Sequence, residues 1–313
     1  MFRIARNNES RRKAEARHRR TSMGKDAKDN PPNIDCQTDD DGSTCSHMPE
    51  LAEVEYFRKQ WNPGLKHAIR DVRLHPNARI FRSCEVEELR SHLTGGELVS
   101  SSAAAKQMAF RTHRQGWLGI HLGMSGALSV ANADYVSRPA DHLVLVQIER
   151  TLVFSDFRMF GRVQFSIGKA VPDWWSKIAP AIASKEFSPA AVGAFLKRRT
   201  RTSIKAVLLM QERFPGIGNW MADEILWRAA IHPKRIAGSL DAEEVRNLHR
   251  EIRWVSRRAL ETIGETMADP PDTWLFPHRW QNGGKCPKSG AVLAREVVGG
   301  RTTCWSPARQ KLR

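Results

Sequence analysis

Pro49 and Glu50 stand side by side behind a methionine, and together they could perform covalent chemistry. If Met48 is the true first residue and is removed, Pro49 becomes an N-terminal secondary amine. This amine is a nucleophile that can condense with an aldehyde carbon to form an iminium. Glu50 could supply the general acid or base that the condensation requires. A Pro-Glu pair is usually only the start of a helix, so the chemistry needs support from the rest of the chain.

The residues after Glu50 have the spacing of an amphipathic helix, because apolar side chains recur every three or four positions from Leu51 to Trp61. Pro49 would lie just ahead of the first turn of this helix. The positive end of the helix dipole would then lie near the proline amine. It would disfavour the protonated form of the amine and so favour the nucleophile.

The chain downstream divides into a strand-rich part and a helical part. From Lys106 onward, short apolar runs alternate with turn residues, which predicts an antiparallel sandwich or barrel. Beyond Pro172 the apolar period becomes helical, and Gly299-Gly300 between two β-prone runs predicts a β-hairpin. The sequence therefore predicts an α+β fold. Its parts are a leading segment at 1–47, an N-terminal antiparallel β-sandwich at 48–170, a helical domain at 185–276 and a terminal hairpin at 278–310.

The charge balance points to a polyanionic partner. The 313 residues include 50 Lys and Arg against 34 Asp and Glu, a net charge of +16, which suits nucleic acid, the ribosome or an anionic membrane surface. Residues 1–47 hold ten basic and eight acidic side chains, so residues 48–313 keep 40 against 26, a net +14. No apolar run reaches the roughly 18 residues of a membrane span. Five cysteines without paired spacing favour a reducing compartment over a disulfide framework.

Residues 1–47 are polar and nearly free of large apolar side chains. They cannot bury enough surface to offset the entropy of ordering, so they are predicted to be disordered. Three origins are open: a start assigned too far upstream, a targeting segment that is later removed, or a regulatory tail. The acidic run Asp39-Asp40-Asp41 is unlike an organelle transit peptide. The upstream start is favoured, because the chemistry of Pro49 demands a free terminus.

Two Gly-rich loops and one helix junction could contact nucleic acid. The turn at 121–126 and the loop at 156–161 each follow an apolar strand, and they carry Met, Phe and Arg side chains that could wedge into a base stack. The segment Gly216-Ile217-Gly218-Asn219 joins two predicted helices and would present backbone N–H groups to an anion, as a phosphate-binding site does. Each motif alone is also compatible with an ordinary turn or a helical hairpin that binds no ligand.

Together and in this order, the motifs resemble the formamidopyrimidine-DNA glycosylase and endonuclease VIII family. The resemblance runs from Met48 to the C-terminus and implies a helix–two-turn–helix domain at 185–276. It implies that Pro49 attacks C1′ of a damaged nucleotide while Glu50 protonates the opening sugar. Lys106 would assist as a proton donor and phosphate contact. Arg301 would hold the phosphate beside the lesion and favour a second elimination.

The resemblance also implies a set of DNA contacts. Met124, Arg158 and Phe160 match residues that fill the gap left by the flipped-out base, after roughly a few kcal/mol of unstacking. Met159 stands where many members carry a second basic residue, so one phosphate contact departs from the pattern. The remaining DNA-binding candidates are His121 in the first Gly-rich turn and the backbone-binding positions His142, Arg201, Lys205 and Asn219.

The terminal hairpin departs from most of the family, whose members bind zinc through two Cys-x-x-Cys pairs. The four positions here are Cys286, Ser289, Ser306 and Arg309. One thiolate cannot form the four-ligand site of structural zinc. The sequence therefore predicts a zincless finger and no cofactor, as in some Nei-like glycosylases. Apolar packing would hold the hairpin instead, with the candidates Trp280, Leu293, Val297 and Trp305.

The resulting hypothesis is a monomeric base-excision-repair enzyme, a glycosylase and β,δ-lyase that acts on oxidised bases in damaged double-stranded DNA. The alternative is a non-catalytic binding protein for abasic or damaged DNA, in which the leader masks Pro49. A structural RNA-binding protein is disfavoured, because it leaves the Pro-Glu start unexplained. The protein would work in the cytoplasm or nucleoid of a bacterium or in the nucleus of a eukaryote, and would not be secreted. The preferred lesion and opposite base stay open.

Overall fold

The computed structural model of the chain describes residues 48–75 and 79–312. The predictions made for residues 1–47 lie outside the described residues. Helix α1 (Leu51–Gln60) opens the described chain, as its apolar period predicts. Its Val54 and Phe57 belong to the core of the strand-rich part, whereas Ala52 belongs to the core of the helical part. Helix α1 therefore packs against both cores, and the residue just before it, Glu50, lies between them.

The strand-rich part consists of two antiparallel four-stranded sheets. The strands are β1 (Asp71–Leu74), β2 (Leu98–Ala104), β3 (Gln107–Thr112), β4 (Gly116–His121), β5 (Ala127–Asn132), β6 (Asp141–Val146), β7 (Arg150–Ser155) and β8 (Arg162–Ile167). One sheet has the order β1-β6-β7-β5 and the other β2-β3-β4-β8. The inner strands β6 and β7 are almost continuously buried. Short helix α2 (Val86–Leu93) packs its buried Leu89 and Leu93 into the same core.

The helical part contains helices in the region where the sequence has a helical apolar period. Its helices are α3 (Asp173–Ser176), α4 (Pro189–Lys197), α5 (Ile204–Leu208), α6 (Asn219–Ala229), α7 (Ala242–Glu261) and α8 (Ile263–Thr266). Helix α6 is buried on nearly every side. The N–H groups in the first turn of helix α7 have no partner inside the helix. The Asp241 carboxylate, just before the helix, accepts two of them, from Glu243 and Glu244, both at 2.8 Å, and so caps the helix.

The last two described strands, β9 (Ala294–Val298) and β10 (Arg301–Trp305), form the predicted β-hairpin. Gly299 (φ 61°) and Gly300 (φ 75°) form the two-residue turn, a left-handed conformation that glycine adopts without strain. The register pairs Arg301 with Val298, so Arg301 is the first residue after the turn. The predicted α+β architecture is confirmed. In residues 48–75 and 79–312, no helix has the length and apolar character needed to cross a membrane.

Candidate active site

Glu50 lies buried against the N-terminus of α6. Its Oε2 accepts the backbone N–H groups of Gly218 at 2.9 Å and Met221 at 3.1 Å, and its Oε1 accepts that of Trp220 at 2.9 Å. These donors belong to the start of the helix, where N–H groups lack partners within the helix. A Cβ at position 218 would lie 2.3 Å from the carboxyl carbon of Glu50, so this approach requires glycine.

This contact corrects the prediction that the Gly216–Asn219 segment binds a phosphate. The segment does present its N–H groups to an anion, but the anion is the carboxylate of Glu50 from the same chain. A phosphate could not use these donors without displacing a buried charge that they already satisfy. The glycines therefore serve the candidate catalytic residue directly.

A second carboxylate, which sequence reasoning missed, holds Glu50 from the other side. Glu53 Oε2 accepts the backbone N–H of Glu50 at 3.2 Å, and Glu53 Oε1 accepts the indole N–H of Trp220 at 2.8 Å. The signal was present in the sequence, because a glutamate three residues after a helix-capping position commonly reaches back to the cap. Glu53, which lies in α1, thus contacts both the backbone of Glu50 and the side chain of Trp220 in α6.

The surroundings of Glu50 change its acidity. Its pKa is raised to about 7, mainly by burial; the nearby Glu53 carboxylate also raises it, whereas the charge of Lys106 and the N–H donors of Trp220 and Met221 lower it. A carboxyl group with this pKa is present in both protonation states near neutral pH. It can therefore give a proton in one step and take one back in another.

Lys106 stands in the two-residue turn between β2 and β3, where Ala104 pairs with Gln107. Ala105 before it has φ 55°, which turns the chain tightly. The Lys106 Nζ lies 3.8 Å from the Sδ of Met48, directly beside Pro49 in the chain. Burial lowers the pKa of Lys106, the carboxylates Glu50 and Glu53 raise it, and the charge of Arg301 lowers it again. The charge of Lys106 therefore interacts with those of both Glu50 and Arg301.

Arg301 is exposed at the tip of the hairpin, and the helical part holds this tip in place. The side-chain amide of Asn219 donates to the carbonyl oxygen of Thr302 at 2.9 Å. A Cβ on Gly299 would lie 2.7 Å from the Cβ of Ala206 in α5, so the turn packs closely against that helix. Asn219 was predicted to contact DNA; in the structure its amide anchors the strand that carries Arg301.

The two Gly-rich loops at 121–126 and 156–161 contact each other in the structure. A Cβ on Gly123 would lie 2.5 Å from the carbonyl carbon of Phe160, and the φ of Gly123 is 67°. Asp156 joins the loops because its carboxylate accepts the Ser125 hydroxyl at 2.5 Å and the Gly161 N–H at 2.7 Å. The side chain of Phe160, beside this contact between the loops, is 53% exposed.

The side chains on these loops suit insertion into a base stack. The Arg158 guanidinium lies 5.0 Å from the centre of the Phe160 ring. Met124, in the turn at 121–126, is half-buried. Phe157, which sequence reasoning missed, is 64% exposed on the same loop. His121 has its pKa lowered to about 4 by burial and by Arg162, Lys106 and Arg82, so it is neutral. Its Nδ1 accepts the N–H of Gly123 at 3.0 Å and fixes the turn.

Two predicted backbone-binding residues have no exposed face for DNA. His142 is 2% exposed, and its Nε2 lies 2.8 Å from the carbonyl oxygen of Asp156. Lys205 is fully buried, where its Nζ pairs with the Asp223 carboxylate and donates to the Asn219 carbonyl at 2.7 Å. The assignment of these two residues to DNA contact is corrected, because their polar atoms point into the protein. Arg201 is exposed, as a phosphate contact requires.

Comparisons with known proteins show the family to which the chain belongs. The family model described as the formamidopyrimidine-DNA glycosylase N-terminal domain matches residues 48–163, and the model for the H2TH domain of the same enzymes matches residues 178–270. Formamidopyrimidine-DNA glycosylases of Roseiflexus sp. and Carboxydothermus hydrogenoformans are 38% and 31% identical to the chain, over 84% of its length and all of theirs. The chain belongs to the formamidopyrimidine-DNA glycosylase family.

The solved structures similar to this family member include that of the Lactococcus lactis formamidopyrimidine-DNA glycosylase, bound non-covalently to DNA that contains an abasic site. It has a TM-score of 0.74 and 27% identity, and the match covers 84% of this chain and 99% of that one. The same enzyme in complex with DNA that carries an N7-benzylated formamidopyrimidine matches with a TM-score of 0.75. The fold is thus that of the family.

The zinc site of the family does not fit the residues of this member. At the finger base, the indole N–H of Trp227 donates to the Sγ of Cys286 at 3.3 Å. The other two positions nearest this thiol in the family's pattern carry Ser289 and Ser306, and the fourth carries Arg309, whose Cζ lies 5.5 Å from the centre of the Trp227 ring. A guanidinium has no lone pair to give a metal ion, so Arg309 cannot replace a zinc ligand. Across the described residues, no group of three or more His, Cys, Asp or Glu side chains is placed to hold a metal.

Apolar packing at the finger base differs in part from the prediction. The buried cluster there is Trp227, Leu275, Cys286, Leu293 and Cys304. Leu293 was predicted, whereas Val297 is 70% exposed and contributes nothing to this cluster. Burial raises the pKa of Cys286, but hydrogen bonds from neighbouring donors, among them Ser289 and Trp227, outweigh it and lower the pKa to about 6.

Proposed function

We propose that this protein is a DNA glycosylase of base excision repair that removes oxidised bases from duplex DNA and then cleaves the strand. In this proposal the chain that acts begins at Pro49. The Pro49 nitrogen bonds to C1′ of the damaged nucleotide while the base leaves, and Glu50 gives a proton to O4′ as the sugar ring opens. The product is an iminium, the Schiff base that joins protein and DNA.

Strand cleavage follows from the iminium. It acidifies the C2′ proton, whose loss breaks the C3′–O bond in the β-elimination, and a second elimination breaks the C5′–O bond. Lys106 is proposed to assist proton transfer beside the sugar, and Arg301 to hold the phosphate that leaves. A guanidinium suits this task because it can hold two phosphate oxygens at once.

The observation that carries the proposal is the environment of Glu50. Three backbone N–H groups, from Gly218 just before α6 and from Trp220 and Met221 in its first turn, fix its carboxylate, and its pKa is raised to about 7, mainly by burial. A buried carboxyl group that merely capped a helix would not need to follow Pro49 directly and lie beside a lysine. The net charge of +14 on residues 48–313 and the exposed Phe160 support a DNA partner.

The binding-only alternative has one observation in its favour. The Sδ of Met48 lies 3.8 Å from the Nζ of Lys106, so residues upstream of Pro49 would start inside the candidate site. A chain that kept them would have no free amine at Pro49 and could bind damaged DNA without reacting. We therefore propose that exposure of Pro49 separates a binding form from a catalytic form.

Borohydride trapping tests both forms. The chain that begins at Pro49 and the full-length chain are each incubated with abasic-site DNA and sodium borohydride, which reduces an iminium to a permanent link. Trapping is expected only for the chain that begins at Pro49, and Pro49→Gly in that chain should retain some trapping through its primary amine. Equal trapping by the two chains would refute the role of Pro49.

The remaining parts of the proposal concern cofactor and assembly. We propose that the enzyme needs no metal, since the candidate chemistry uses only side chains and the N-terminal amine. We also propose that it acts as a monomer on the DNA. Sedimentation of the protein with and without a lesion duplex, together with metal analysis of the same sample, tests these two statements.

A further inference from the structure

Three charged side chains meet in the interior beside the candidate site. Asp223 in α6 pairs with Lys205 through Oδ1 and with Arg279 through Oδ2, the latter at 2.6 Å. Lys205 is fully buried, Asp223 is 1% exposed and Arg279 is 6% exposed. None of the three can therefore touch DNA directly, and the proposed chemistry uses none of them.

The cluster is connected to the strand that carries Arg301. The Oδ2 of Asp223 also accepts the backbone N–H of Cys304 in β10 at 3.0 Å. On the other side, Lys205 Nζ donates to the carbonyl oxygen of Asn219 at 2.7 Å, and the Asn219 amide donates to Thr302 at 2.9 Å. One carboxylate thus holds the first turn of α6 through Lys205 and holds the hairpin directly.

The N-terminal end of the same helix also holds Glu50, through the N–H groups of Trp220, Met221 and the capping residue Gly218. Both reacting ends of the site are therefore fixed to α6. Cys304 is three residues from Arg301 along β10, about 10 Å at the rise of a strand. A hairpin released at Cys304 could shift its tip by an ångström or more without unfolding.

We propose that Asp223 is a positioning residue for strand cleavage, which sets where Arg301 stands relative to Glu50. The inference rests on the proposed function, because it assigns Arg301 to the leaving phosphate. Stability alone does not explain the cluster. A buried ion pair gains little over an apolar replacement of similar volume, since both charges lose their hydration. What such a cluster can supply is a fixed geometry.

The test compares Asp223→Asn with a neighbouring control, Glu224→Gln. Glu224 is also buried in α6, but its carboxylate accepts the N–H groups of Leu275 and Phe276 and serves the segment before the hairpin. Two properties are measured for the chain that begins at Pro49: amide hydrogen exchange across residues 301–305, and the ratio of β,δ- to β-elimination products on abasic-site DNA. Because Asp223→Asn leaves two buried cations without a counter-charge, the double variant Lys205→Met with Asp223→Asn is a second probe.

Asp223→Asn or the double variant is expected to speed exchange at residues 301–305 and to lower the product ratio by roughly 10- to 10²-fold, since a misplacement of about 1 Å can cost about 10²-fold. The control should leave both unchanged. In an Arg301→Ala background, Asp223→Asn should have no further effect on the ratio, because it acts through Arg301. An unchanged ratio, or an equal further loss in the Arg301→Ala background, would overturn the positioning role. If the wild-type chain itself forms no trapped complex and cleaves no DNA, the proposed function fails and takes this inference with it.

Discussion

Replacing Glu50 with glutamine should change how the stability of this protein depends on pH. The folded chain holds Glu50 with a pKa of about 7, against an ordinary value of 4.5. A carboxyl group whose pKa is higher in the folded state binds its proton more tightly there. It contributes its full stabilisation below about pH 4.5 and loses it as the pH rises towards 7.

The size of the effect follows from the same two values. The rise from 4.5 to about 7, at about 1.4 kcal/mol per unit, corresponds to about 3 kcal/mol. Glutamine does not titrate, so the free energy of unfolding of the wild type minus that of Glu50→Gln should fall by this amount across the window. Glutamine also turns an amide N–H₂ towards one of the three N–H donors of α6. That repulsion adds an offset of about 1–3 kcal/mol that does not vary with pH.

Urea unfolding of both proteins between about pH 4.5 and pH 8 measures this difference. Glu224→Gln is the matched control, because burial also raises the pKa of Glu224 to about 7. It should show a similar pH-dependent difference in stability but keep its glycosylase activity within about threefold, whereas Glu50→Gln should lose about 10²–10⁴-fold of the base-release rate.

A difference between wild type and Glu50→Gln that stays constant within about 0.5 kcal/mol over the window would refute the raised pKa. The argument that burial prepares Glu50 as a proton donor would then fail. Full base-release activity of Glu50→Gln would refute its catalytic role even if the pH dependence appeared.

Three further predictions use other parts of the site. Gly218→Ala should abolish base release and destabilise the fold by about 2 kcal/mol or more, since its Cβ would lie 2.3 Å from the Glu50 carboxyl carbon. Product gels measure the base release and urea titrations measure the stability. The control Gly264→Ala, whose Cβ would have no contact under 3.6 Å, should change neither property by a comparable amount. Arg301→Ala should weaken lesion-DNA binding by about 1–3 kcal/mol and shift products from β,δ- towards β-elimination; unchanged affinity with an unchanged product ratio would remove Arg301 from the site. Purified protein should contain far less than one zinc ion per chain by metal analysis, and a chelator should leave its Tm unchanged, because Cys286 alone cannot replace four ligands.

Much of this protein can be predicted from local sequence. The amphipathic spacing after Glu50, the alternating strands and the Gly299-Gly300 turn specify their elements because each depends on backbone conformation within a few residues. The order of the motifs indicates the family, and the Pro-Glu pair at a free terminus is the basis for the reaction proposed above. The helix–two-turn–helix segment was also predicted as a cluster of N–H donors.

The identity of the partner of those donors could not be predicted from sequence. Gly218 and Glu50 are 168 positions apart, and nothing in either segment states that a carboxylate rather than a DNA phosphate fills the start of α6. The burial of Lys205 could not be predicted for the same reason. A lysine is a residue type that commonly contacts phosphate, but Lys205 is paired with Asp223 in the interior. Residue type and spacing determine which chemistry is available. Tertiary packing decides which groups are shielded from water, which are paired with an opposite charge and which are exposed to DNA. Burial and charge pairing depend on neighbours that are distant in the chain.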